Sequence, residues 1–232
     1  MAKGRLGTSI KAKQAQANAV FDALAVYYGP VDCTLNYQDD PWRLLVGAIL
    51  AAQCTDERVN QVTPALFERY PTIEAMSQAS PALIEPFIKS CGLFRNKAKG
   101  IYGSAVKLMQ DFGGVVPQRR EDLLSLPGVG RKIANLLIGD VFGGQAIVVD
   151  THCGRLARLM GFTQSNEPYK IECDLMKVVP EHRWSAWGHY MVEHGRAICS
   201  ARSPKCDLCP VAAFCQQGLK VWRSTQRDAK VI

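Results

Sequence analysis

Leu126-Pro127-Gly128-Val129-Gly130-Arg131-Lys132 sets two glycines around Val129, directly after a proline. The pattern on both sides is helical. Ahead of it, Glu121-Asp122-Leu123-Leu124-Ser125-Leu126 reads as a short helix with acids in its first turn. Behind it, Ile133, Ala134, Leu137, Ile138 and Val141 recur at helical spacing. The stretch is therefore a tight hairpin between two helices, with glycines where the backbone must turn. Bare N–H groups at the start of the second helix make a ready site for a phosphate. Lys132 falls in the first turn of that helix. The positive end of the helix dipole disfavours a charged ammonium there, and partial burial would push the same way. A neutral amine beside a phosphate-binding hairpin suits a nucleophile acting on nucleic acid. Taken alone, the motif also reads as an interhelical turn followed by a surface lysine, because short glycine motifs often match by chance.

Eighteen positions further on, Asp150 closes the apolar run Ala146-Ile147-Val148-Val149. As the first residue of Asp150-Thr151 it reads as an N-cap for a helix reaching Met160. The cap and a catalytic role are compatible. A carboxylate held at a helix N-terminus stays ionised, and such an anion can stabilise an oxocarbenium-like transition state at a sugar carbon.

Nine cysteines are present. Cys33, Cys54, Cys91, Cys153 and Cys173 are scattered singly, which is not a disulfide framework. Cys199, Cys206, Cys209 and Cys215 follow the spacing Cys-x6-Cys-x2-Cys-x5-Cys. Four thiolates this close in sequence can wrap one metal centre, either zinc or an iron–sulfur cluster. Structural zinc sites more often carry two Cys-x-x-Cys pairs, and only one pair here is that close. Arg202 and Lys205 lie between the first two cysteines, so the loop they close is basic and can face a phosphate backbone.

The chain has 232 residues, enough for one large or two modest domains. Its 28 Lys and Arg exceed its 21 Asp and Glu, for a formal charge of +7. That surplus favours a polyanionic partner, nucleic acid above all. No apolar run reaches the roughly 18 residues that span a bilayer, and no apolar signal core follows Met1-Ala2-Lys3-Gly4-Arg5. The expectation is a soluble, intracellular protein with no membrane partner.

Helical patterns account for most of the rest. Residues 1–14 are basic and polar and are expected to be mobile, with a first helix from Ala15 to Gly29-Pro30. Asp40-Pro41 starts a helix with the stripe Leu44, Leu45, Ile49, Leu50. Another carries Val59, Val62, Leu66 and Phe67. Ser80-Pro81 repeats the capped start, and Gly92 stops that helix. Ile101, Ala105, Leu108, Met109 and Phe112 mark a longer helix ended by Gly113-Gly114. Residues 145–149 read as a buried connection, and further helices are expected near 168–179 and 184–198. Strand alternation is nearly absent, so the fold class is all-α.

The hairpin, then Val149-Asp150-Thr151-His152, then the four-cysteine spacing, in that order, resemble the endonuclease III family of the helix-hairpin-helix superfamily. The resemblance covers roughly residues 35–218. It implies two helical domains, residues 35–144 with the hairpin and residues 1–34 plus 145–232 with a [4Fe–4S] cluster on the four cysteines. It implies base-excision repair: damaged double-stranded DNA runs across the cleft between the domains, an oxidised pyrimidine is flipped out, and the glycosylase and abasic-site lyase steps follow. Lys132 is then the nucleophile and Asp150 the essential carboxylate, with Gly128, Val129, Gly130 and Arg131 against DNA. Gln53, in Ala-Ala-Gln-Cys-Thr-Asp, resembles the residue that fills the gap left by the flipped base. Leu93, in Gly-Leu-Phe-Arg-Asn-Lys, resembles the wedge between bases. Read without the resemblance, Gln53 is a helix-end polar residue and Leu93 is core. Two departures stand out. Cys153-Gly154 after His152 is less bulky than the family pattern, and Phe94 replaces a common tyrosine. Two rival readings are an adenine-mismatch glycosylase and a non-catalytic helix-hairpin-helix DNA-binding protein. The first lacks the lysine and usually carries a further C-terminal domain, for which no room is expected after Cys215. The second needs neither Lys132 nor Asp150.

Overall fold

The computed structural model describes residues 6–228, and within them the chain is all-α, with twelve α-helices and no strand. The expected mobile start lies partly outside the described residues, at positions 1–5. The rest of it is corrected: α1 (Ile10–Tyr28) begins at Ile10, where Ser9 accepts the Ala12 N–H at 3.2 Å. The apolar stripe starts later because residues 10–14 are good helix formers held by polar contacts. Lys13 Nζ donates to Phe162 O at 3.3 Å, and the Gln14 amide donates to Lys177 O at 3.0 Å.

The chain divides into two compact units, Cys33–Gly144 and a second made of the residues up to Asp32 with those from Gln145 onward. The first unit holds α2 (Pro41–Leu50), α3 (Asp56–Arg69), α4 (Ile73–Ser77), α5 (Pro81–Ile88), α6 (Phe94–Asp111), α7 (Arg120–Leu124) and α8 (Arg131–Asp140). Asp40 caps α2 by accepting from the Trp42 N–H at 2.8 Å, and Pro41 fills the first helical position. From Leu44 to Leu50 every residue of α2 is buried, so the helix is apolar all round and runs through the core. Ser80 occupies the cap position of α5 as expected, but its side chain makes no cap hydrogen bond. α6 is the scaffold of this unit and packs on α2, α4 and α5. Its end is closed by the Gly114 N–H donating to Leu108 O at 2.9 Å.

The second unit holds α1, α9 (Thr151–Met160), α10 (Pro168–Met176), α11 (Trp184–Ala197) and α12 (Gln216–Asp228). Residues 145–149 form a connection rather than a strand, with Ala146, Ile147 and Val148 buried. Gly188 of α11 makes room for it: a Cβ there would lie 3.2 Å from Val148 O. Gln16 of α1 is buried, and its amide donates to Met160 O at 2.8 Å and Phe214 O at 2.7 Å. One side chain thus ties the N-terminal helix to α9 and to the cysteine-rich loop.

Candidate active site

The hairpin is built from the closeness of two backbones. Gly128 has φ +81°, a conformation that costs an L-residue with a Cβ about 1–2 kcal/mol. A Cβ on it would also lie 3.4 Å from Gly100 Cα in α6. Ser104 of α6 donates to Pro127 O at 2.7 Å and fixes the turn on that helix. Gly130 differs from expectation. Its φ is −99°, so the turn does not need a glycine there. A Cβ on Gly130 would meet nothing within 4 Å, so the glycine leaves the start of α8 bare. No side chain caps α8, and its leading N–H groups have no acceptor within the helix. Val129 faces inward. It is buried in the core, and its N–H donates to Leu126 O at 3.1 Å, so it seats the hairpin. Arg131 is half-buried at the first position of α8, and Lys132 is exposed at the second. The partial burial expected of Lys132 is therefore absent.

Asp150 is the N-cap of α9, half-buried, with Oδ1 accepting the Cys153 N–H at 2.7 Å. Lys132 and Asp150 belong to different units. The His152 ring occupies space left by Gly195, where any Cβ would overlap it. Burial holds the His152 pKa below the usual histidine value, against the opposing pull of the Asp150 carboxylate. The Cys153-Gly154 departure has a packing account. Cys153 is fully buried, and Ile171 Cδ1 fills the room beside Gly154 at 3.3 Å from a would-be Cβ. Phe94 packs on the core of its unit with the Arg95 guanidinium 5.6 Å from its ring centroid.

Gln53 and Leu93 share an uncommon backbone. Both have positive φ, +55° and +46°, and both side chains are exposed, Leu93 by 54 %. Leu93 is therefore not core, and Gln53 stands past the end of α2 rather than on it.

Cys199, Cys206, Cys209 and Cys215 line one cavity with Leu156, His194 and Val211. Burial raises the pKa of all four thiols, Cys209 to about 11. Among the described residues no three Cys, His, Asp or Glu close round a single ion. Thiolates are the ligands that iron–sulfur clusters take, and all four line this one cavity. Two supporting residues escaped the sequence reading. Arg155 donates to Cys199 O and, at 3.3 Å, to Gly195 O. His194 is fully buried, with Nδ1 2.9 Å from Tyr28 Oη and Nε2 3.3 Å from Cys209 Sγ. Burial pushes His194 down to about 4, so it is neutral. Tyr28 O–H then donates to Nδ1, which leaves Nε2–H for the Cys209 sulfur. The sequence gives no local signal for His194, because the thiol it meets, Cys209, lies 15 positions away. Arg202 and Lys205 stand exposed on the loop between the first two cysteines, as expected.

Residues 46–181 match the model of the HhH-GPD superfamily of base excision DNA repair proteins, and residues 199–215 match the iron–sulfur binding domain of endonuclease III. The chain belongs to the endonuclease III family. It is 47 % identical to endonuclease III of Synechocystis sp. over 88 % of this chain and 93 % of that protein. It is 38 % identical to the Bacillus subtilis endonuclease III over 88 % of this chain and 94 % of the relative. Among solved structures, a trapped endonuclease III–DNA covalent intermediate superimposes with TM-score 0.85 at 38 % identity, covering 90 % of this chain and 98 % of that one. The cofactor is a [4Fe–4S] cluster. Holoprotein is expected to be yellow-brown, with broad absorption near about 400 nm and about four irons per chain. Colourless protein with one zinc would overturn the assignment.

Proposed function

We propose that Lys132 and Asp150 carry out base excision on oxidised pyrimidines in duplex DNA. As a member of its family the chain is a DNA glycosylase with abasic-site lyase activity, acting in base-excision repair. The observation that carries the residue assignment is Lys132, exposed at the second position of the uncapped helix that follows the hairpin. A covalent endonuclease III–DNA intermediate has been trapped in a relative of the same fold, which supports an enzymatic nucleophile.

The damaged base is flipped out of the duplex. Lys132 Nζ bonds to the anomeric carbon as the bond to the base breaks, and the base leaves with a proton. Ring opening gives an imine. Loss of a proton from the adjacent sugar carbon then breaks the 3′ C–O bond and nicks the strand, and water releases the lysine. Asp150 stabilises the positive charge that builds on the sugar and assists the proton transfers. The leading N–H groups of α8 receive a backbone phosphate, and the missing Cβ of Gly130 lets it approach. We assign the cluster to Cys199, Cys206, Cys209 and Cys215. Those four thiolates would hold it, and it would supply a cross-link to the 199–215 loop, which presents Arg202 and Lys205 to phosphate. The two compact units are read as its two domains. The protein is placed as a monomer in the bacterial cytoplasm, held at the nucleoid by DNA. Its +7 charge supports that placement, and no helix among the described residues is long and apolar enough to cross a membrane.

Borohydride trapping on an abasic duplex tests the reading directly, because an amine nucleophile becomes covalently attached and a non-catalytic binder does not. Binding to undamaged duplex is expected to fall steeply with salt. Arg202→Ala and Lys205→Ala should each weaken it whatever the sequence, and each should reduce the slope of log K against log salt by about one. Unchanged slopes would leave the loop a solvated surface.

Gln53 and Leu93 occupy the space vacated by the flipped base. The amide offers a donor and an acceptor to the orphaned partner base, and the leucine replaces lost stacking. Gln53→Ala and Leu93→Ala should each slow single-turnover excision of a paired oxidised pyrimidine more than cleavage at a preformed abasic site, where extrusion is easier. Equal losses on both substrates would reduce them to general binding residues.

A further inference from the structure

Lys97 is 5 % exposed, an unusual place for a lysine. Its Nζ donates to Cys91 O at 2.7 Å. The thiols of Cys54 and Cys91 are its electrostatic neighbours, and burial together with the Cys54 thiol pushes the Cys91 thiol up to about 11. These groups come from two loops. Cys54 directly follows Gln53, and Cys91 directly precedes Gly92-Leu93. The Lys97 N–H closes the first turn of α6 on Leu93 O at 3.1 Å. One buried ammonium therefore pins the segment that carries Leu93 and stands electrostatically beside the Cys54 thiol, next in sequence to Gln53.

Several unfavourable features converge at this point. Burying an ammonium costs free energy even when it is hydrogen-bonded. Burial accordingly draws the Lys97 pKa down, against the neighbouring thiols. Gln53 and Leu93 are two of only four non-glycine residues with positive φ among the described residues. Such a conformation is strained for any residue that carries a Cβ. Leu93 also holds an apolar side chain in water. A core selected for stability alone would place methionine or leucine at position 97 and glycine at 93. Strain and buried charge persist together where the surrounding structure holds an active conformation ready.

We propose that Lys97 is a positioning residue that locks the Gln53 and Leu93 loops into one rigid unit, so that both side chains enter the duplex together when a base leaves it. The proposal rests on the reading of Gln53 and Leu93 as the residues that fill the vacated space. Lys97 touches no DNA. It acts through the Cys91 carbonyl and the Cys54–Cys91 contact.

The test uses cluster-loaded, full-length protein in single-turnover assays on two duplexes, one with a paired oxidised pyrimidine and one with a preformed abasic site. Lys97→Met keeps the apolar stem and removes the charge and the donor. It is expected to slow the paired substrate by about tenfold or more while the abasic rate stays within about threefold. Lys97→Gln keeps a donor without the charge and should fall between Met and wild type. It carries the test if Lys97→Met shows no cooperative melting. In a Leu93→Ala background Lys97→Met should add little, because both changes remove the same function. Equal slowing on the two substrates, or full additivity with Leu93→Ala, would overturn the proposal and leave Lys97 a support of the fold. If the inference alone is wrong, Gln53→Ala and Leu93→Ala still discriminate between the substrates while Lys97→Met does not. If those two lose equally on both, the reading of the vacated space fails and this inference fails with it.

Discussion

Lys132→Gln is expected to abolish base release and strand nicking together, by about three orders of magnitude or more, as loss of a covalent nucleophile does. DNA affinity should change little. The side chain is exposed at the start of α8, so its replacement opens no cavity and removes no core contact. The hairpin proposed to bind phosphate rests instead on Gly128, Ser104 and the buried Val129, all untouched. Borohydride should trap the wild-type chain on an abasic duplex and leave Lys132→Gln free. A reducible covalent complex formed by the variant would assign the chemistry to another amine. Retained nicking without base release would instead separate the two steps and break the shared-nucleophile mechanism.

Asp150→Asn should lower turnover by about a hundredfold to a thousandfold, the scale on which one charge-stabilising group acts. The cap makes this substitution informative. Asn and Asp are about equally good N-caps, so the substituted amide can still accept the Cys153 N–H and stability should change by well under ~1 kcal/mol. Asp150→Ala removes cap and anion together and should lose about 1 kcal/mol of stability besides the activity. Thermal melting and single-turnover rates on the three proteins separate the two roles. A near-normal rate for Asp150→Asn would leave the residue a helix cap only.

What was legible in the sequence was local. Asp40-Pro41 and Asp150 announce helix starts because a cap bonds to N–H groups two or three residues away. The hairpin glycines and the cysteine spacing are likewise contained in short windows. What was hidden depends on partners distant in sequence or on backbone angles. α1 begins before its apolar stripe because Lys13 and Gln14 find acceptors at Phe162 and Lys177. α4 is five residues long, and α12 shows only a thin apolar pattern, with Leu219 buried. The bareness of Gly130 and the turn of Gly128 look identical as letters, and only φ tells them apart. Nothing in Gln53 or Leu93 announces a left-handed conformation. Lys97 reads as an ordinary helix lysine until Cys54 and Cys91 are brought beside it.

The amide of Gln16 reaches Met160 and Phe214, partners 144 and 198 positions later. On a ribosome adding about 5–20 residues per second, α1 emerges roughly 10–40 s before the carbonyl of Phe214 exists. The Cys33–Gly144 unit has all its helices in hand well before then and can fold as a contiguous piece. α1 must wait with Val20 and Leu24, later fully buried, facing solvent or a chaperone. The first helix of the described residues is thus among the last to be placed, and its docking coincides with synthesis of the fourth cysteine, Cys215. Closure of the second unit and synthesis of the last cluster cysteine therefore fall within the same short interval of translation.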